Sequence, residues 1–170
     1  ALGMISPLRA QEASDQKTDP VEALVEAMNV RHIGPGTMSG RVTAIAVPSD
    51  SPEEIFVGTA SGGLWKSESA GVTWSPMFDD QPTQSIGAVA LSALNPDLVW
   101  VGTGEGNPRN SHSSGRGVYK SIDGGATWSF MGLKETHNVH RILIHPRDPN
   151  VVFVAATGSA WGDSPDRGVF

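Results

Sequence analysis

A polar stretch at residues 104–116 concentrates the side chains best suited to ligand recognition. It carries Glu105, Arg109, Asn110 and His112 between several glycines. Arginine offers a planar set of donors that matches carboxylates and sugar hydroxyls, and asparagine offers both a donor and an acceptor. Because glycine has no side chain, the flanking backbone can approach a ligand closely. The stretch therefore predicts a ligand or partner surface, and the alternative interpretation is a solvated loop held by arginine-to-backbone bonds.

Carboxylates in this stretch raise the question of glycoside hydrolysis. Glu105 could pair with Asp163 or Asp166, which lie in a second polar stretch at residues 158–167. Two carboxyl groups separated by roughly 5 to 10 Å can act on a glycosidic bond as acid and base or as acid and nucleophile. The sequence does not give that distance, and pairs of loop carboxylates are usually solvated. We therefore assign no catalytic residue from the sequence.

Other chemically suggestive patterns lack the context that their chemistry needs. The glycine spacing at residues 102–106 is similar to a dinucleotide loop, but no predicted helix follows it to hold a phosphate. His137, His140 and His145 are close in sequence, yet positions 140 and 145 face opposite sides of an extended strand. The chain also contains no cysteine. The sequence therefore predicts no metal site and no cofactor.

Composition narrows the classes of function. The chain has 170 residues, a formal net charge of −6 and no run of Lys or Arg, which argues against a nucleic-acid or anionic-membrane partner. No stretch of the sequence is long and apolar enough to span a membrane. The 20 glycines and 12 prolines are typical of a chain with many turns and short strands.

Three stretches of the chain are similar to one another. They begin at Arg41, Ile86 and Val139. Each contains an apolar strand, a polar turn with proline and a second strand, and a third strand follows. Self-similarity at a spacing of about 50 residues is the signature of a repeat protein.

The turn after the third strand follows the pattern Ser-x-Asp-x-Gly-x-Thr-Trp. Residues 121–128 match it at every defined position, and residues 67–74 match it except at Ser69. In this Asp-box, the Asp123 carboxylate is expected to accept backbone N–H groups of the turn, and Gly125 to adopt a positive φ. The final tryptophan is expected to pin the register of its hairpin. The structural residues are Ser67, Gly71, Trp74, Ser121, Asp123, Gly125 and Trp128.

Four-stranded antiparallel units repeated in this way are the blades of a β-propeller. The sequence predicts an all-β fragment of about two and a half blades, because a closed ring has about four to eight. Loops between second and third strands are expected on the opposite rim from the segments that lead into first strands. The expected strands are 41–47, 54–60, 62–67 and 72–77 in blade one, 85–92, 98–104, 117–121 and 126–131 in blade two, and 138–145, 151–157 and 168 onward in blade three.

The N-terminal residues differ in character from the repeats. Residues 1–10 are apolar and end in Arg-Ala, which is typical of the remnant of a signal peptide and predicts export; the alternative interpretation is a disordered terminus. Residues 11–29 form a polar leader and a short helix, with Asp19 as its expected cap and Pro20 as its first residue. Residues 30–170 are assigned to the N-terminal part of the propeller, truncated in the third blade.

The motifs at residues 31–42, 102–111, 117–128 and 145–150 together resemble a family of exported bacterial Asp-box propellers. This family is related to the N-terminal domain of sortilin, and its members are often labelled glycosyl hydrolases or bacterial neuraminidase repeat proteins. The resemblance implies a β-propeller in a bacterial periplasm, on the outer surface or outside the cell. Asp-boxes also occur in sialidases, xyloglucanases and sortilin-type receptors, so the resemblance is much less specific for activity.

Some of the catalytic residues that xyloglucanases and sialidases use are absent from this chain. The resemblance to xyloglucanases places a catalytic carboxylate within the stretch that corresponds to residues 59–63, where this chain has Ala60. Sialidases use a tyrosine nucleophile, and the single tyrosine here is Tyr119. Because Tyr119 lies on a strand just before an Asp-box, we expect it to pack in the core.

Two functions of different class remain open. The favoured one is a binding or scaffold module for protein or glycan ligands, or for further blades of the same protein. The other is part of a glycoside hydrolase, sialidase-like or xyloglucanase-like, whose catalytic carboxylates lie mainly outside these residues. A carboxylate pair facing inward from later blades would favour the hydrolase.

Overall fold

The computed structural model describes residues 41–107 and 112–170, which belong to one compact unit, Ile33–Phe170. Within these residues, eleven strands form three antiparallel sheets, which we call blades. The predicted signal-peptide remnant at 1–10 and the leader and helix at 11–29 lie outside the described residues.

Each blade is a meander in which successive strands pair in sequence order. The strands are Val42–Ala46 (β1), Ile55–Thr59 (β2), Leu64–Ser67 (β3) and Ser75–Pro76 (β4) in blade one, Ile86–Leu91 (β5), Val99–Thr103 (β6), Val118–Ser121 (β7) and Ser129–Gly132 (β8) in blade two, and Val139–His145 (β9), Asp148–Ala156 (β10) and Gly168–Val169 (β11) in blade three. A 3₁₀ helix, Lys134–Thr136, connects blade two to blade three. The predicted all-β arrangement of antiparallel blades is confirmed.

Most strand ends differ from the prediction by one residue, and a few differ by two or three. β4 starts at Ser75 and β8 at Ser129, three residues after the predicted starts at 72 and 126, because the preceding residues belong to the turns. β10 starts at Asp148, before the predicted start at 151, because Asp148 already pairs with His145. The differences therefore lie at turns rather than in the strand order.

The blades pack against one another through apolar faces. The inner strands β1, β5 and β9 are neighbours. One apolar core joins blades one and two around Phe56, Phe78 and Tyr119, and another joins blades two and three around Trp100 and Val139. The ring of Tyr119 meets that of Phe78 edge-on at 5.2 Å, so this tyrosine has the packing role expected from the sequence. Blade two is thus covered on both faces.

Blades one and three each expose one apolar face. In blade two, Ile86 and Val118 are 0% and 1% exposed. The residues at the same positions, Val42 in blade one and Val169 in blade three, are 48% and 73% exposed. Burial of apolar surface is worth about 25 cal/mol per Å². These two faces therefore have the composition of blade interfaces.

The turn between β7 and β8 is organised by two side chains. The Ser121 hydroxyl accepts the Gly125 N–H at 2.8 Å, and the Asp123 carboxylate accepts the Thr127 N–H at 2.9 Å. The φ of Gly125 is +96°. The turn bonds and the positive φ agree with those expected from the sequence.

Trp128, which ends this turn, joins two blades. Its indole N–H donates to the Met77 carbonyl of blade one at 2.7 Å, and its ring meets the Phe78 ring edge-on at 5.1 Å. The expectation that Trp128 acts within its own hairpin is therefore corrected. Its partner is 51 residues away along the chain, and the tryptophan fixes the contact between blades.

Candidate functional site

The loop between the second and third strands lies on the same rim as the segment that leads into the first strand. Val42, the first residue of β1, pairs with Thr59, the last residue of β2, and Ile86 pairs with Thr103 in the same way. Antiparallel pairing places the start of one strand beside the end of the next. The predicted placement on opposite rims is wrong. We call this shared edge the loop rim.

A backbone hydrogen bond repeats at the loop rim in all three blades. The donor and acceptor pairs are Ala60 N–H to Arg41 C=O (2.9 Å), Gly104 N–H to Ser85 C=O (2.8 Å) and Thr157 N–H to Asn138 C=O (2.9 Å). We call these the rim bonds. Each lies at the base of a loop, and the loops above differ in length. Three residues join Thr59 to Gly63 in blade one, whereas thirteen join Thr103 to Gly117 in blade two.

Glu105 lies at the base of the blade-two loop and is 2% exposed. Its carboxylate forms an ion pair with the Arg41 guanidinium of blade one and accepts the Ser113 N–H at 2.9 Å. Its own N–H donates to the Ser85 hydroxyl at 3.0 Å. A buried carboxylate is tolerated only when it is paired and hydrogen-bonded. Glu105 therefore ties the loop to blade one and is withdrawn from solvent.

The predicted ligand-binding residues divide into two pairs. Arg109 and Asn110 lie outside the described residues. Glu105 and His112 are described, and they have different environments. The half-buried imidazole of His112 lies 6.4 Å from the indole of Trp161, edge to face. Participation of these residues in ligand binding stays a prediction.

Trp161 lies in the blade-three loop and is 78% exposed. It was not among the predicted site residues, although its position in a long polar loop was the available signal. Arg167 anchors this loop by donating to the carbonyls of Thr157 at 2.7 Å and Ser159 at 3.3 Å. An exposed indole on an anchored loop offers a flat apolar surface with a polar edge.

His140 on β9 lies beneath the blade-two loop. Its imidazole approaches Gly106 so closely that a side chain at position 106 would overlap it unless the imidazole moved. Burial lowers the pKa of His140, and the neighbouring His112 lowers it further, against an opposing bond with the Gly106 backbone. Because the net shift is downward from 6.5, this imidazole is neutral at pH 7.

Two depressions occur near the loop rim and the inner strands. A cleft of about 400 Å³ is lined by Ser114, Gly115, Arg116, Lys134, Glu135 and His137. A channel of about 620 Å³ runs along β1, β5 and β9. From the sequence, we considered His137 only as part of a histidine cluster. We did not connect His137 with the two cations of the cleft, Arg116 and Lys134.

A carboxylate pair and a metal site both depend on how the acidic side chains and histidines are grouped. The carboxylate of Glu105 contacts Arg41 and Ser113, rather than Asp163 or Asp166. Within residues 41–107 and 112–170, no group of three or more His, Asp or Glu side chains is arranged to hold a metal ion. In the same part of the chain, no helix is long and apolar enough to cross a membrane.

Comparison with protein-family models gives no match, and comparison with curated proteins gives none. Among solved structures, the chain is similar to a GH74 enzyme of Niastella koreensis, at 23% identity and a TM-score of 0.50, over 67% of this chain and 17% of the enzyme. It is also similar to an ancestral GH74 enzyme, at 23% identity and a TM-score of 0.58, over 73% of this chain and 17% of the enzyme. The likeness shows the fold: these residues form part of a β-propeller.

Proposed function

We propose that the loop rim of this chain binds glycans as part of an exported bacterial β-propeller. The exposed indole of Trp161 beside His112 carries the proposal. Sugar rings have an apolar face that can stack on an aromatic side chain, and hydroxyls that hydrogen-bond to polar neighbours. The likeness to two GH74 enzymes, which are β-propeller glycoside hydrolases, supports a carbohydrate ligand over a protein ligand.

The segment next to His112 is held in place by hydrogen bonds at the base of the blade-two loop. Ser113, its neighbour, donates its N–H to Glu105 and accepts the Ser85 hydroxyl at 3.0 Å through its carbonyl. Glu105 is in turn fixed by Arg41. A segment that is held in place before the ligand arrives loses less conformational entropy on binding. This anchoring supports a recognition role for the loop rim.

Recognition, rather than bond cleavage, is the role we propose for the described residues. Glu105 is buried in its ion pair with Arg41, and a carboxylate that cleaves a glycosidic bond has to reach that bond. Ala60 occupies the stretch where the resemblance placed a catalytic carboxylate, and alanine has no group for acid or base chemistry. Both observations favour a binding surface.

The test is Trp161→Ala in the intact protein, with Trp74→Ala as the matched control on the opposite rim. Binding of neutral cello-oligosaccharides and xyloglucan oligosaccharides, and of acidic oligogalacturonates, is measured by isothermal titration calorimetry. We expect Trp161→Ala to weaken binding at least about tenfold, or about 1.4 kcal/mol, and Trp74→Ala to leave it unchanged. Absence of binding by the unaltered protein, or equal affinity of the two variants, would refute the proposal.

A further inference from the structure

The cleft at the loop rim is basic although the protein is acidic. The chain has a net charge of −6, yet Arg116 and Lys134 share the cleft with a single acidic residue, Glu135. Two other cations, Arg41 and Lys66, are paired with glutamates. By contrast, neither cleft cation forms an ion pair with another residue in the described part of the chain. Among the described residues, no carboxylate occupies their donors.

Strand pairing in blade two explains why the two cations are neighbours. Val118 at the start of β7 pairs with Gly132 at the end of β8. Arg116 and Lys134 each lie two residues beyond this pair, on adjoining chain segments. The two walls of the cleft are joined where the Gly115 N–H donates to the carbonyl of residue 137 at 2.6 Å. The cations are therefore placed by sheet pairing and a backbone bond.

His137 lines the cleft in a strained backbone conformation, with φ 56° and ψ −47°. The Asn138 N–H donates to the Thr136 carbonyl across it at 2.5 Å, which makes a γ-turn of the rare positive-φ kind. Thr136 and Asn138 are both buried, and the Asn138 amide donates to the Gly158 carbonyl at 2.8 Å. Such strain persists where the surroundings impose it, and it is frequent at ligand sites. Here it leaves His137 exposed at the cleft.

We propose that this cleft is a subsite for an anionic sugar, a uronic acid or a sulfated residue, of a glycan bound at the loop rim. The Arg116 guanidinium and the Lys134 ammonium bind the carboxylate or sulfate through charge-assisted hydrogen bonds. His137 and Glu135 bond to ring hydroxyls. This inference rests on the proposed function, because the cleft and Trp161 would hold neighbouring residues of one glycan.

Glu135 favours a sugar over a bare ion as the ligand. Its carboxylate repels a free inorganic anion, because like charges at close range disfavour each other. A sugar ring with one acidic substituent satisfies both charges, since the substituent meets the cations and a hydroxyl donates to Glu135. The mixed charge of the cleft therefore selects an acidic sugar over sulfate or phosphate alone.

The test combines Arg116→Gln and Lys134→Gln in the intact protein. The matched control combines Arg141→Gln and Arg147→Gln, two exposed cations on blade three that do not line the cleft. Calorimetry with oligogalacturonate, chondroitin sulfate oligosaccharides, neutral cello-oligosaccharides and inorganic sulfate separates the ligand classes. We expect the cleft variant to lose at least about tenfold in affinity for the acidic oligosaccharides and to retain neutral binding. We expect the control to bind both acidic and neutral oligosaccharides as before.

The outcomes distinguish this inference from the proposed function. Equal loss of acidic and neutral binding in the cleft variant, or no loss at all, overturns the anionic subsite. If Trp161→Ala abolishes neutral binding meanwhile, the glycan-binding rim itself is retained. Preference for oligogalacturonate indicates a carboxylate, and preference for chondroitin sulfate indicates a sulfate ester.

A second variant, Glu135→Gln, reports on the sugar. We expect it to strengthen binding of inorganic sulfate, because the repulsive charge is removed, and to reduce the preference for acidic oligosaccharides over sulfate. If inorganic sulfate binds the unaltered protein as tightly as the oligosaccharides do, the cleft is a general anion site and the inference of a sugar ligand is overturned.

Discussion

The β3–β4 turn of blade one and the β7–β8 turn of blade two share a backbone plan and differ in one acceptor. In blade one, the single hydroxyl oxygen of Ser69 accepts the Thr73 N–H at 2.8 Å and also contacts the Thr73 hydroxyl at 2.8 Å. In blade two, Asp123 uses one oxygen for the Thr127 N–H and the other for the Thr127 hydroxyl. A bond from the Ser121 hydroxyl and then these bonds from Thr127 lower the pKa of Asp123 to about 2. The carboxylate of Asp123 thus uses two oxygens for the two bonds to Thr127, whereas the single hydroxyl oxygen of Ser69 makes both contacts with Thr73.

The tryptophans that end the two turns differ more than the acceptors do. Trp74 donates to the Gly71 carbonyl of its own turn at 2.9 Å and is 40% exposed. Trp128 donates instead to Met77 of the neighbouring blade. The turn motif therefore determines the local bonds, whereas the presence of a neighbouring blade determines what the indole does.

The largest expected difference between the turns comes from removing these indoles. Trp128→Ala should destabilise the intact protein by about 3 kcal/mol, because it opens a cavity beside Phe78 and leaves the Met77 carbonyl unpaired. Trp74→Ala should cost less than about 1 kcal/mol, because its ring is partly exposed and its bond is local. Urea denaturation midpoints measure both.

Trp128→Phe refines this comparison. It keeps the edge-on aromatic contact with Phe78 and removes the bond to Met77, so we expect a loss of about 1 kcal/mol. Equal midpoints for Trp74→Ala and Trp128→Ala would contradict the assignment of Trp128 to the blade interface.

Lowering the pH should weaken the β7–β8 turn, which contains Asp123, and leave the β3–β4 turn unchanged. The pKa of Asp123 is lowered from 3.8 to about 2, so its carboxylate stabilises the fold above pH 4 and loses that effect as the pH falls through about 2. The difference in urea denaturation midpoint between the unaltered protein and Asp123→Asn should therefore shrink from pH 5 to pH 2. The difference for Ser69→Ala should stay constant, because a hydroxyl does not titrate in this range. A pH-independent gap for Asp123→Asn would show that the charge of Asp123 is not used.

The smallest expected effect concerns the position three residues after the serine that begins each turn, Ser67 in blade one and Ser121 in blade two. Ala70 has a φ of +51°, and Gly124 at the same position of blade two has a φ of +68°. A left-handed conformation is unfavourable for alanine and accessible to glycine. Ala70→Gly should therefore stabilise the protein by about 0.5 kcal/mol, and Gly124→Ala should destabilise it by a similar amount. Thermal melts of the two reciprocal variants measure the pair, and shifts of the same sign would contradict the interpretation.

Strands and turns were accessible from the sequence because their determinants are local. An apolar run between turn residues predicts β5 at 85–92, and the strand is Ile86–Leu91. The bonds of Asp123 follow from a spacing of a few residues. The partner of Trp128 does not, because Met77 belongs to another blade and no feature of the sequence links the two.

The site was accessible only in part for the same reason. Residue types in a long loop predicted Glu105 and His112 as ligand-binding residues, but the burial of Glu105 depends on Arg41, which belongs to blade one. The proximity of Arg116 and Lys134 was available in principle, since hairpin pairing of β7 with β8 places them side by side. The positive φ of His137 had no such signal, because it is imposed by buried neighbours.

The rim bonds have a consequence for how such a surface can change over evolution and in engineering. Each closes its loop at the base with main-chain atoms, so the bond itself places no demand on the length of the loop above. Lengthening a flexible loop costs only about 0.6 kcal/mol for each doubling, which fits the coexistence of three and thirteen residues between the same strands. Binding specificity can thus be changed by replacing one loop at a time, while the strands beneath stay the same. The residues that follow Thr59 and Thr103 are the points at which a new loop would be joined.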